Sequence, residues 1–207
     1  ERARLEPALR GMGTTMTAAR MAAEVRKVVA DWRYEAVSIG YPGAVKHGKP
    51  AHEPRNLSGG WMRFNYGKAF GAPVKIVNDA AMQALGSYEG GRMLFLGLGT
   101  GLGTTLIIDG FVVPMEVQHM PFRKGTFEDY VGERGLERLG VKRWRKALLE
   151  VIGVYVAAFS PDYVVLGGGN AEELGELPPN CRLGHNEDAF LGGFRLWVDP
   201  ADASRPR

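Results

Sequence analysis

Cysteine is nearly absent from this chain: Cys181 is the only one among 207 residues. That excludes a disulfide within the chain and any cysteine-cluster zinc site, and it makes a reducing compartment, the cytoplasm, the expected home. Long apolar runs are also missing, so no segment is expected to span a bilayer, and no signal-peptide pattern opens the sequence. Charge of one sign is scarce, with 26 Lys and Arg against 23 Asp and Glu and a formal net charge of +3. The basic residues are scattered (Arg2, Arg4 and Arg10, then 142–146, then Arg205 and Arg207), so no nucleic-acid partner is expected. An anionic small ligand suits that small excess equally well. Internal repeats and low-complexity segments are absent. What is present is a globular composition, 45% hydrophobic and 24% charged, at a length that suits one large domain or two small lobes.

Glycine is the exception to this scarcity: there are 29, gathered in pairs and triplets rather than in linkers. The densest run is Leu96-Gly97-Leu98-Gly99-Thr100-Gly101-Leu102-Gly103-Thr104-Thr105, with glycine at four alternate positions. Residues 93–96 before it and 105–108 after it read as strands, and Asp109-Gly110 marks a tight turn into 111–113. The run is therefore a hairpin whose connection has almost no side chains. No Gly-Lys-Ser/Thr follows, so it is not a Walker A loop; a strand follows rather than a helix, so it is not a dinucleotide-binding fingerprint. Two readings remain: a loop that brings backbone N–H groups against a phosphate, or a glycine-softened hairpin with no ligand.

Elsewhere strands and helices alternate, which makes the class α/β. Residues 1–16 read as an irregular arm. A helix is predicted from Thr17 with Met21, Val25, Val28, Val29 and Trp32 on one face. Residues 37–41 read as a strand stopped by Pro42-Gly43, 44–61 as loop, 74–77 as a strand and 80–88 as a helix. Residues 114–126 read as a polar loop, 142–159 as a long helix with Trp144, Leu148, Ile152, Tyr155 and Phe159 on one face, and 163–166 as a strand. A last helix is predicted near 188–197, with a frayed tail after Pro200.

Several residues could do chemistry. Asp79 falls where a strand gives way to a helix, the place where α/β folds put ligand chemistry; it is either a proton acceptor or a helix N-cap. Asn78 beside it could fix a substrate hydroxyl. Glu116 and His119 form an E-x-x-H pair that Pro114 and Pro121 bracket, so a helix is not expected there. A carboxylate that accepts from two hydroxyls and an imidazole that donates or accepts suit a polyol; the alternative is an ordinary surface loop. Glu128 is either a second carboxylate for the same ligand or an acid in the first turn of a helix. Gly167-Gly168-Gly169 ends a strand and lets a flat group lie on bare backbone, with a following helix N-terminus facing a phosphate; the alternative is a turn. The basic stretch 142–146 reads as the wet face of an amphipathic helix.

In chain order Pro42-Gly43, Asn56-Leu57-x-Gly-Gly60-Trp61, Asn78-Asp79-Ala80, Gly99-Thr100-Gly101-Leu102-Gly103, Glu116-x-x-His119, Glu128 and Leu166-Gly167-Gly168-Gly169 resemble the ROK family of sugar kinases, nearest its polyphosphate or ATP glucokinase branch. The resemblance covers about residues 17–198. It implies an actin-like, ribonuclease-H-like fold of two lobes with a sugar cleft: an incomplete N-terminal lobe over 1–77, and a large C-terminal lobe over 78–207 whose last helix packs back near the lobe junction. It implies Asp79 as catalytic base, and Asn78, Glu116, His119 and Glu128 on glucose hydroxyls, with Asn56 and Gly43 near the sugar. Gly99, Thr100 and Gly101 would cradle the donor phosphate, and Gly167, Gly168 and Gly169 would line the nucleotide site. Mg²⁺ with ATP or polyphosphate is the implied cofactor and a homodimer the implied assembly; no membrane partner is expected. Two departures stand out. The segment after E-x-x-H, Arg123-Lys124-Gly125-Thr126-Phe127, has no cysteine, so zinc is not expected. The family's opening strand carries Asp-x-Gly-Gly-Thr, and nothing in residues 1–16 matches it. The chain thus reads as a glucokinase transferring phosphoryl to the C6 hydroxyl of glucose. The alternative is a truncated or catalytically impaired relative acting as a sugar-binding or interaction protein.

Overall fold

The computed structural model describes residues 16–54 and 57–198. The chain divides into two compact units, Glu1–Asp79 and Ala80–Arg207.

In the first unit, helix α1 (Ala18–Val28) starts at Thr17, whose hydroxyl accepts the N–H of Arg20 at 3.2 Å. The helix is shorter than the sequence suggests. It stops before Val29 and Trp32, and its deepest contacts come from Ala18 and Ala22 rather than from the larger residues beside them. Strand β1 (Val37–Tyr41) pairs in parallel with β4 (Val74–Asn78), so Tyr41 and Asn78 end side by side. The stretch predicted as loop holds a small hairpin, β2 (Val45–Lys46) and β3 (Lys49–Pro50). Its turn is made by His47 and Gly48, both at positive φ as a two-residue hairpin turn requires. A short helix unforeseen from the sequence, α2 (Tyr66–Phe70), is capped by Asn65 and closed by Gly71 in the left-handed region. Tyr41, Trp61, Tyr66, Phe70 and Ile76 pack with Ala18 and Ala22 into this unit's core.

The second unit is built on a five-stranded sheet in the order β11-β10-β5-β6-β7. Strands β5 (Arg92–Leu98), β6 (Leu102–Ile108) and β7 (Phe111–Met115) form an antiparallel meander; β10 (Tyr163–Gly167) joins β5 in parallel, and β11 (Cys181–Leu183) joins β10 the same way. Helix α3 (Asp79–Ser87) lies on one face and α6 (Val141–Phe159) on the other. Alternation sends Leu94, Leu96 and Leu98 to the core around Trp144, Leu148, Ile152 and Tyr155, and Met93 and Phe95 to the core with Ala84, Leu85 and Tyr88. A strand covered on both sides reads as one apolar run, which is how 93–98 looks in the sequence.

The basic stretch at the head of α6 is the exposed face expected of it, except that Trp144 within it is fully buried and gives its indole N–H to the Val131 carbonyl at 2.9 Å. Helices α4 (Phe127–Val131) and α5 (Glu133–Leu139) precede it. The last helix, α7 (Asp188–Arg195), packs on α3 where Gly86 and Gly192 let the backbones nearly touch; a Cβ on either would overlap the other helix's backbone. The predicted arm falls almost wholly, and the predicted tail entirely, outside the described residues.

Candidate functional site

In the first unit the parallel strands deliver their C-terminal ends together. Asn78 closes β4 and donates its side-chain N–H to the Gly43 carbonyl at 3.2 Å. Asp79 is the first residue of α3 rather than the residue before it, so it lies inside the first turn, where the helix dipole favours an acid. Asn56 lies outside the described residues. The segment on either side of it is tied down by contacts that sequence reasoning missed. The Glu53 carboxylate accepts the N–H of Trp61 at 3.0 Å and of Met62 at 3.3 Å. Those donors, Trp61 first, together with Gly60 hold its carboxyl below the usual carboxylate range. Tyr41 gives its hydroxyl to the His52 carbonyl at 2.7 Å, and its ring meets that of Trp61 at 6.1 Å between centroids. A lone acid in a loop carries no sequence signal for this role.

In the second unit the glycine hairpin is real, and its connection is only three residues, Gly99-Thr100-Gly101. Its four glycines do different work. Gly97 and Gly103 pair across the ladder and admit α3: a Cβ on Gly103 would come within 2.7 Å of that of Ala80. Gly101 makes room for the Glu128 carboxylate, while nothing lies within 4 Å of a Cβ on Gly99. The carbonyls of Leu98, Gly99 and Gly101 all accept hydrogen bonds inside the unit, from Asn170, Glu133 and Gly99 respectively. The N–H groups of Thr100 and Gly101 donate to no acceptor among the described residues. Backbone N–H groups left bare at a turn can take an anion.

The triple glycine lies beside that loop. Asn170 donates its backbone N–H to Leu98 at 3.0 Å and its side-chain N–H to Gly99 at 3.4 Å. Packing accounts for two of the three glycines: a Cβ on Gly167 would strike the Phe95 ring, and one on Gly168 the Leu98 carbonyl. The helix expected after them is a single 3-10 turn, Ala171–Leu174, too short to act as a helix dipole toward a phosphate.

Between the flanking prolines there is no α-helix; Glu116 and His119 sit on another 3-10 turn, Val117–His119. Pro114 is in β7, at the sheet edge, and Pro121 opens β8 (Pro121–Phe122), which pairs with β9 (Gly125–Thr126), so neither proline interrupts the turn between them. The turn brings the pair together: His119 Nε2 is 3.5 Å from Glu116 Oε2, both side chains more than half exposed. Glu128, in the first turn of α4, stands against the glycine loop, its Oε2 3.4 Å from the Leu102 nitrogen. The Thr126–Asp129 capping box that opens α4 fixes its place, and Asp129 is held below its usual range mainly by the Thr126 N–H. No helix among the described residues is long and apolar enough to cross a membrane.

No family model matches the chain. Its structural neighbours nevertheless include ROK-family sugar kinases, which have the α/β actin-like ATPase fold. The inorganic polyphosphate/ATP-glucomannokinase of Arthrobacter sp. strain KM is 26% identical, with a TM-score of 0.68 over 84% of this chain and 80% of that one. The ROK hexokinase of Thermus thermophilus, 22% identical with a TM-score of 0.67 over 87% and 86%, shows the fold alone. Among curated relatives, the polyphosphate glucokinase of Mycobacterium tuberculosis (strain H37Ra) is 26% identical over 72% of this chain. The chain spans 61% of that relative's length.

Proposed function

We propose that the chain is a glucokinase-type sugar kinase that transfers phosphoryl from ATP or polyphosphate to the C6 hydroxyl of glucose in the cytoplasm. The observation that carries this reading is the clamped glycine loop, whose Thr100 and Gly101 N–H groups have no acceptor among the described residues. Beside it stand the Glu116–His119 pair and the relatedness to polyphosphate glucokinases. Asp79 takes the hydroxyl proton, the sugar oxygen forms its bond to the terminal phosphorus, and the donor's bridging P–O bond breaks with its electrons on the departing phosphate. Asn78, Glu116, His119 and Glu128 hold the sugar hydroxyls, with Gly43 and Asn56 near the sugar. Gly99, Thr100 and Gly101 hold the donor, and Gly169, which has open space around it, is the part of the triple glycine free to meet a nucleotide. Mg²⁺ bound to the donor would neutralise phosphate charge. Among the described residues no three His, Cys, Asp or Glu gather as a metal centre, so phosphates and water would supply most of its ligands. The family's habit makes a homodimer the proposed assembly.

Calorimetric titration with glucose, run beside a coupled assay for glucose 6-phosphate with each donor, tests this reading. We expect binding at millimolar sugar or below. Folded protein that gives no heat with glucose overturns the proposal. Binding with no turnover leaves the second reading, a sugar-binding relative.

A further inference from the structure

Gln118 lies between the two exposed members of the E-x-x-H pair, yet it is only 8% exposed. Its side-chain N–H donates to Glu116 Oε2 at 2.6 Å, the same oxygen that His119 Nε2 approaches at 3.5 Å. Two neighbours therefore converge on one carboxylate oxygen, and Glu116 Oε1 takes no hydrogen bond among the described residues. The amide's orientation is fixed by chemistry: turned over, it would set a carbonyl oxygen against the carboxylate. Its own Oε1 is buried with no partner, a cost that an apolar residue of the same size would not carry. A buried side chain bonded to an exposed one restrains the exposed one, since packing has already fixed the first.

We infer that Gln118 is a positioning residue for the sugar, acting through Glu116. The inference rests on the reading of Glu116 and His119 as sugar contacts. Gln118 pins one oxygen of the carboxylate, so the other oxygen and the imidazole face the ligand as a preset pair, matched to two neighbouring hydroxyls of a pyranose. It governs how tightly the sugar is held and leaves the phosphoryl-transfer step alone.

The test is glucose calorimetry on the parent, Gln118→Met, Glu116→Gln and the double variant, each with a thermal melt. Methionine fills the volume, gives no donor and leaves no orphaned oxygen. We expect Gln118→Met to weaken glucose roughly tenfold, the loss of one hydrogen bond to a charged group. Its melting temperature should hold or rise, and any residual turnover should show a raised KM with kcat unchanged. In the Glu116→Gln background the same change should add little, since the two act as one unit. Gln118→Glu, nearly isosteric with glutamine, should weaken binding at least as much by setting a like charge beside Glu116. Parent protein that does not bind glucose overturns the kinase reading and this inference with it. A binding parent whose Gln118→Met and Gln118→Glu variants keep its affinity, or whose loss is additive with Glu116→Gln, overturns this inference alone.

Discussion

Asp79 is the residue on which the proposed chemistry turns, and its place in the first turn of α3 makes a clean substitution available. Asparagine keeps the shape and can hydrogen-bond a hydroxyl, but it cannot take up a proton. Losing the acid's interaction with the dipole costs only about 0.3–1 kcal/mol, so the fold should survive. We expect Asp79→Asn to lower residual glucose 6-phosphate formation by roughly 10²–10⁴-fold, the range for a positioned proton acceptor. Glucose affinity should stay within a few-fold. The measurement is kcat and KM beside a melt, and a kcat close to the parent's would remove Asp79 from the mechanism. Asp79→Ala is the poorer experiment, because it deletes the hydrogen-bonding group along with the base.

At the scale of elements, the hairpin's glycines separate by what they face. A methyl on Gly103 meets Ala80 of α3, whereas one on Gly99 meets nothing. Gly103→Ala should destabilise the protein by about 1–3 kcal/mol, as overpacking does, a drop of several degrees at this chain length. Gly99→Ala should melt with the parent; equal melting of the two variants would show that α3 is not seated on the hairpin. The same glycines show what the sequence reveals. Strands β1, β4, β5 and β10 and the long helix were legible because their apolar periods are strong and their ends are marked by Gly, Pro or Asn-Asp. Helix α2 and strand β11 were not, since five and three residues carry no period; β11 exists because β10 offers it an edge. The 3-10 turn under Glu116 and His119 is too short to carry a sequence signal, and both prolines lie in flanking strands. The candidate acids could be named from their order in the chain. Gln118 and Glu53 could not, because each acts through a contact that only the folded backbone creates.

At the scale of the whole molecule, among the described residues each unit has a carboxylate held down by backbone donors: Glu53 in the first and Asp129 in the second. A carboxyl group whose folded value lies below its unfolded value contributes stability above the unfolded value, and that stability is lost as pH falls through the folded one. Both groups should therefore feed an acid limb that begins near pH 4, the ordinary carboxylate range. Melting temperature measured from pH 7 down to 3 should fall less steeply in Glu53→Gln and in Asp129→Asn than in the parent. Parallel curves would show that neither bond persists in solution.

The C-terminal end of α3 depends on residues far along the chain. Arg195 donates to the carbonyls of Leu85, Gly86 and Tyr88 at 2.7–2.9 Å, and Arg182 donates to that of Ser87. During synthesis on the ribosome, the helix headed by Asp79 emerges about a hundred residues before the arginines that close it. Until then its last carbonyls have only water, and the seat that Gly192 provides for Gly86 does not exist. A polypeptide released early, at residue 181 or before, has the proposed base but not the support of the helix that carries it. A closed C-terminal end of α3 thus requires the chain through Arg195.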